Sequence, residues 1–113
     1  MFQNLKDAKY ISLDIETYDT DLIEKGCGAL RNGKILGIAV GSNTGVREYY
    51  SINHPASDNL ELPKVINYLN DQLDNPKQYI LGANILYDLE YLTLAGLKAK
   101  ANCYCGIVVV QQK

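Results

Sequence analysis

Two acidic side chains, Asp14 and Glu16, stand two positions apart in a segment that alternates strictly between apolar and polar residues. The alternation predicts a β-strand over residues 10–16, so both carboxylates share one face, roughly 7 Å apart along the backbone. No lysine or arginine lies within that strand to neutralise them. Two like charges on an interior strand are costly unless they are solvated or bind a cation, and carboxylate oxygens suit Mg²⁺ or Mn²⁺. A strand with one solvated face is the alternative interpretation, because Asp-x-Glu is a short and common pattern.

A third carboxylate, Asp88, lies one turn into a predicted helix for which Asn84 is the N-cap. The helix dipole alone favours a carboxylate at that position, which is a purely structural explanation for Asp88. The helix follows directly on an apolar strand predicted over residues 79–83. If that strand is parallel and adjacent to the first one, Asp14, Glu16 and Asp88 converge beyond the carboxyl ends of the strands, where α/β sheets place their sites.

The remaining pattern predicts the elements that must position these carboxylates. Apolar residues at helical spacing predict a helix over residues 60–73, with Pro63 in its first turn, and a second helix over 85–95. Further strands are predicted over 35–41, apolar enough to be buried on both faces, and over 46–52. The tail is ambiguous, because a short strand near 102–105 could precede a helix, whereas the β-branched run at 107–110 favours strand. The fold class that follows is α/β with a mixed sheet, an antiparallel three-strand meander plus parallel strands joined by right-handed crossovers, with flanking helices.

Length and charge restrict the possible functions. The 113 residues include 11 Lys+Arg and 13 Asp+Glu, a net charge of −2, and 47% of them are hydrophobic. These values predict one globular domain, and the sequence shows neither a signal segment nor an apolar run long enough to span a bilayer. The mild acidity excludes a small basic protein that coats nucleic acid through bulk charge, so nucleic-acid contact would be local or mediated by metal ions on carboxylates.

The other reactive side chains are interpreted as structural. A zinc site formed by the cysteines and His54 is conceivable, but one Cys-x-Cys pair is weak evidence, so the thiols are expected to be reduced and ordinary. His54 itself is interpreted as a structural or surface loop residue. Those cysteines are Cys27, Cys103 and Cys105, and the tyrosines expected to pack around the sheet are Tyr49, Tyr50, Tyr68 and Tyr79.

Two segments carry a family resemblance. Asp14-Ile15-Glu16-Thr17 and Asn84-Ile85-Leu86-Tyr87-Asp88 resemble the first two motifs of the DEDD superfamily (DnaQ-like) of 3′–5′ exonucleases, particularly the proofreading domain of family A, phage-type DNA polymerases. The glycine-containing loop at 24–31 and the order of the predicted elements follow the same pattern. The resemblance covers nearly the whole chain, from about Tyr10 to Gly96, and rests on the order and spacing of the motifs.

The resemblance implies an RNase H-like fold and an activity. The family hydrolyses the 3′-terminal phosphodiester of a DNA strand with two ions of Mg²⁺ or Mn²⁺. By position, Asp14, Glu16 and Asp88 would be catalytic and metal-binding, and Thr17, Asn84 and Tyr87 would bind the substrate strand. Capping of the helix is an equally good role for Asn84, and core packing is the better explanation for at least one of Tyr87 and Tyr91. The implied partners are a single-stranded DNA 3′ end and the rest of a polymerase chain, in the cytoplasm of a host cell and without a membrane.

One departure from the family pattern bears on activity. The third family motif, Tyr-x-x-x-Asp or its histidine variant, supplies a fourth carboxylate, whereas no aspartate follows Asp88 here and Glu90 is the only acidic residue. Residues 1–113 are therefore expected to be the N-terminal part of an exonuclease domain, with weak or no activity as an isolated chain. The alternative is an inactive remnant, or a nucleic-acid-binding module with the same fold.

Overall fold

A computed structural model describes residues 1–18, 33–55, 58–83, 85–98 and 102–105. Within these ranges the chain forms five strands and two helices, close to the predicted order. Their bounds are β1 Tyr10–Tyr18, β2 Lys34–Ser42, β3 Arg47–Ser51, α1 Leu62–Gln72, β4 Tyr79–Gly82, α2 Ile85–Leu94 and β5 Asn102–Cys105. Asn84, Cys27, the loop at 24–31 and the β-branched run at 107–110 lie outside the described residues.

The strands form one mixed sheet in the order β3-β2-β1-β4-β5. The first three strands pair antiparallel, and β4 pairs parallel to both β1 and β5. Both parallel connections pass through a helix, since antiparallel strands can be joined by a short turn but parallel strands need a crossover. The predicted α/β fold with a mixed sheet is confirmed, and β1, which carries Asp14 and Glu16, lies in the centre of the sheet.

Helix α1 is shorter than predicted at its N-terminal end. The N–H of Leu60 donates to the carbonyl of Ser51 at 2.7 Å, and Glu61 has extended backbone angles, so the chain is still extended there. Pro63 occupies the first turn, where its missing N–H removes no helical hydrogen bond. The helix buries Val65, Ile66 and Leu69 in the core.

The sheet has one buried face and one open face, and the residues of β1 alternate between them. Ile11, Leu13 and Ile15 are buried in one apolar cluster that also contains the buried residues of both helices, while the polar residues between them are exposed. The prediction that β2 is buried on both faces is wrong, because Ala39 and Gly41 on its open face are only half-buried. That face bears a groove of about 670 Å³. Its described lining comes from β1, β2, β3, the turn between β2 and β3, and Leu81 of β4.

The described helices are short. Neither has the length and the continuous apolar character that a helix crossing a bilayer needs.

Candidate active site

The end of β1 presents the first two predicted carboxylates. In the antiparallel register, Asp14 stands opposite Ala39 and Glu16 opposite Gly37, and the register shifts between Glu16 and Thr17. Both carboxylates are exposed on the open face, as the alternation predicted. Irregularities of this kind commonly re-aim side chains beside functional sites, and this one directly follows Glu16.

Asp88 approaches β1 from the first turn of α2. The parallel pairing of β4 with β1 covers only Tyr10 to Ser12, so beyond this point the β4 side of β1 is open to other partners. The carboxylate of Asp88 accepts a hydrogen bond from the backbone N–H of Ile15 there. Asp88 is 3% exposed. A buried acidic side chain therefore lies against β1, the strand that bears Asp14.

The surroundings of Asp88 disfavour its negative charge. Burial, and then the negative charge of Asp14, raise the pKa of Asp88 to about 6, although the hydrogen bond from Ile15 acts in the opposite direction. Its Oδ2 is buried and has no hydrogen-bond partner among the described residues. A buried carboxylate oxygen without a donor is costly, and a divalent cation would compensate it. The chemistry of Asp14 and Asp88 therefore fits a hard metal ion with oxygen ligands.

Glu16 is engaged by two side chains whose contact with it the sequence did not reveal. The hydroxyl of Tyr49 donates to Glu16 Oε1 at 2.6 Å, and His54 Nε2 lies 3.8 Å from the same oxygen. Partial burial, followed by the hydrogen bond to Glu16 and its charge, raises the pKa of Tyr49 to about 12. His54 had been interpreted as a structural or surface residue, and the structure places it beside a predicted site residue.

The expectation that Tyr49 packs around the sheet is therefore incomplete. Tyr49 is 42% exposed and its ring crosses the open face above Gly37, whereas Tyr50 is fully buried as expected. The one signal in the sequence was Gly37 itself, since a glycine inside a strand often marks a close approach by another group.

The structure brings the three carboxylates to the carboxyl end of β1 without joining them into one cluster. Asp14 is near enough to Asp88 to raise its pKa, whereas Glu16 is turned towards Tyr49 and His54. In the parts of the chain described above, no three acidic, histidine or cysteine side chains are grouped closely enough to hold a metal ion. The shared metal site of Asp14, Glu16 and Asp88 remains a prediction.

Two of the predicted substrate-binding residues contact each other. The hydroxyls of Thr17 and Tyr87 lie 2.8 Å apart and are hydrogen-bonded, which links the end of β1 to the first turn of α2. Tyr91, whose ring centroid is 5.3 Å from that of Tyr87, is 5% exposed and belongs to the core. This confirms core packing for one of the two tyrosines.

No family model matches the chain. A relative from Pseudomonas phage M6, a DNA-directed DNA polymerase, is 38% identical over 93 residues. That match covers 80% of this chain and 14% of the polymerase, so the chain spans about one seventh of the relative's length.

Two solved structures share the fold. The NrnC protein of Brucella melitensis superposes with a TM-score of 0.55 at 15% identity, over 88% of this chain and 44% of that one. The exonuclease domain of EXD2 gives a TM-score of 0.55 at 13% identity, over 96% of this chain and 49% of that one. The chain thus has a mixed α/β fold of the RNase H-like kind, as predicted.

Proposed function

We propose that residues 1–113 are the N-terminal part of a 3′–5′ exonuclease domain belonging to a family A, phage-type DNA polymerase, and that the domain acts in proofreading. The observation that carries the proposal is Asp88, a buried acid whose Oδ2 has no hydrogen-bond partner among the described residues and which lies beside Asp14. The 38% sequence identity to a phage DNA polymerase and the fold shared with a known exonuclease domain support the same conclusion. The substrate would be the single-stranded 3′ end of DNA, in the cytoplasm of a host cell.

In this proposal Asp14, Glu16 and Asp88 hold Mg²⁺ or Mn²⁺. When bound, two such ions would activate a water and stabilise the leaving oxygen of the 3′-terminal phosphodiester. Burial of Asp88 excludes water from one side of the site and strengthens its attraction for a cation. Thr17, Tyr87 and Asn84 would orient the terminal nucleotide, and the Thr17–Tyr87 hydrogen bond fixes the first two relative to β1.

A second candidate function follows from a different observation. Across the described segments, no three potential ligands are grouped to hold a metal ion, which favours a nucleic-acid-binding module that keeps the fold without hydrolysing DNA. Metal binding distinguishes the two candidates better than turnover does, because a chain that supplies three carboxylates is expected to turn over weakly or not at all.

In the test, the purified 113-residue chain is titrated with Mn²⁺, and electron paramagnetic resonance measures the bound fraction of the ion. We expect Asp14→Ala and Asp88→Asn each to weaken binding at least about tenfold, because each removes a charged ligand. Asp71→Asn is the matched control, since Asp71 is an exposed carboxylate of α1 that pairs with Lys6 at 3.3 Å.

The same preparations are then mixed with a labelled single-stranded oligonucleotide, and fluorescence anisotropy is recorded. Mn²⁺ binding that both site variants weaken and the control retains supports the exonuclease assignment. Oligonucleotide binding without any Mn²⁺ binding contradicts it and supports the binding module instead.

A further inference from the structure

Tyr49 is a half-exposed tyrosine whose hydroxyl reaches a predicted metal ligand. It lies on β3, two strands away from β1, and donates to Glu16 Oε1 at 2.6 Å. A hydrogen bond from a neutral donor to a carboxylate is charge-assisted and stronger than one between neutral groups. The contact is therefore directed at Glu16 and differs from general packing against the sheet.

The register shows how the side chain spans this distance. Tyr49 pairs with Ala39 on β2, whereas Glu16 pairs with Gly37, two positions further along the same strand. The Tyr49 side chain must therefore run diagonally across β2, over the position of Gly37. A Cβ at Gly37 would overlap the hydroxyl and the adjoining ring carbon of Tyr49, so only glycine leaves room for this path.

A second group engages the same carboxylate oxygen. His54 Nε2 lies 3.8 Å from Glu16 Oε1, so the contacts with Tyr49 and His54 converge on one oxygen. The Glu16 side chain is 51% exposed, and an exposed glutamate ordinarily samples several rotamers. The hydrogen bond from Tyr49, with His54 close by, restricts Oε1 and so orders the Glu16 carboxylate before a cation binds.

We infer that Tyr49 is a positioning residue that holds the Glu16 carboxylate in its metal-binding orientation, and that Gly37 provides the space for it. The inference rests on the proposed function, because Glu16 is a metal ligand only under that proposal. In this role Tyr49 acts through Glu16. Groups that orient metal ligands typically contribute about ten- to a hundredfold to metal affinity.

The test compares Mn²⁺ affinity in Tyr49→Phe, Gly37→Ala and the wild-type chain. We expect Tyr49→Phe to weaken Mn²⁺ binding about tenfold, the lower end of that range, and Gly37→Ala to weaken it in the same direction by displacing the ring. Tyr10→Phe is the matched control, because Tyr10 is 41% exposed, lies on the same face of β1 as Glu16 and stacks on Tyr79.

A spectroscopic measurement separates positioning from a general loss of structure. With tyrosine labelled at ¹³Cζ, the Tyr49 resonance is identified by its absence in Tyr49→Phe. In the wild type, recorded near neutral pH, this resonance reports the hydrogen bond that the Tyr49 hydroxyl donates to Glu16 Oε1 at 2.6 Å. In Glu16→Gln, at the same pH, the resonance should shift, because a neutral amide replaces the carboxylate that accepts this hydrogen bond.

The outcomes distinguish this inference from the proposed function. Wild-type Mn²⁺ binding with unchanged binding in Tyr49→Phe overturns the positioning role and leaves the exonuclease proposal intact. If the wild type binds no Mn²⁺, the proposed function fails, and the role of Tyr49 in ordering Glu16 is decided by the ¹³Cζ resonance alone. If the Tyr49 resonance is the same in Glu16→Gln and the wild type, the positioning role is overturned. If the resonance changes in Glu16→Gln, the positioning role is supported.

Discussion

The chemistry of Asp88 depends strongly on its surroundings. A carboxylate in the first turn of a helix is ordinarily stabilised in its charged form by the helix dipole. Here burial and the neighbouring charge of Asp14 outweigh that effect and raise the pKa of Asp88 to about 6. In the absence of metal, Asp88 therefore keeps its proton up to a higher pH in the folded chain than in the unfolded chain.

Stability should consequently fall as the pH rises. Below about pH 4 Asp88 is protonated in both the folded and the unfolded chain, and its full contribution to stability is present. Between about pH 4 and pH 6 the unfolded chain loses the proton first, so the free energy of unfolding decreases until the folded pKa is passed.

Asp88→Asn should remove this pH dependence. In EDTA at pH 7, we expect the variant to have a free energy of unfolding about 2–3 kcal/mol above that of the wild type, with little difference at pH 4. Urea unfolding at the two pH values measures the effect. Glu90→Gln is the control, because Glu90 is exposed on the same helix. An equal effect of Asp88→Asn at both pH values would show that the charge of Asp88 is not the cause.

At the scale of elements, the junction between β4 and α2 determines whether Asp88 reaches β1. Gly82 is the last residue of β4 and packs against the backbone of Leu13. A Cβ at this position would lie 2.9 Å from the Leu13 carbonyl oxygen, which belongs to a central strand and cannot rotate away. The close approach of the two strands therefore depends on a residue without a side chain.

Gly82→Ala should move the start of α2 away from β1. We expect a loss of about 1–3 kcal/mol of stability, as is typical for overpacking. We also expect faster hydrogen exchange of the Ile15 N–H, which donates a hydrogen bond to the Asp88 carboxylate. Gly41→Ala is the matched control on β2, where the added Cβ meets the Ser12 hydroxyl at 2.6 Å, a side chain that can rotate. Unchanged exchange at Ile15 in Gly82→Ala would contradict this account of the junction.

At the scale of the whole molecule, the N-terminal segment completes the core. Leu5 is fully buried, and Phe2 stacks on Tyr50 with ring centroids 5.2 Å apart. The segment is held by amide side chains from the end of α1 and the approach to β4. Gln78 Nε2 donates to the carbonyl of Leu5 at 2.9 Å, and the N–H of Leu5 donates to Gln72 Oε1 at 2.6 Å.

Gln78→Met should loosen this segment while preserving volume. The substitution leaves the buried Leu5 carbonyl without its donor, which lowers stability. It also removes Gln78 Oε1, which has no hydrogen-bond partner among the described residues, and this offsets part of the cost. We expect a net loss of about 1–2 kcal/mol. Urea unfolding and the rate of limited proteolysis near the N-terminus measure the change. Gln3→Met, at an exposed position, should leave both unchanged. If both variants behave alike, the hydrogen bonds of Gln78 do not hold the segment.

Local sequence determined the elements and the faces on which the acidic residues lie. The alternation around Asp14 and Glu16 sets a period of two, and the apolar spacing in α1 sets a period of 3.6, so both patterns can be recognised within one segment. The position of Asp88 in the first turn of α2 also followed from its immediate neighbours. The mixed sheet could therefore be predicted from these patterns, whereas the RNase H-like fold was expected from the resemblance of two motifs to a known family.

Only the tertiary structure decided which distant side chains meet at the candidate site. The contact of Tyr49 with Glu16 depends on the pairing of three strands, and the contact of Asp88 with Ile15 depends on where β4 stops pairing with β1. Register between strands is set by packing of the whole sheet, and residues far apart in sequence carry no local pattern that reports it. For this reason the sequence could identify the three acidic residues, whereas their burial, their partners and their separation at the edge of the sheet required the folded chain.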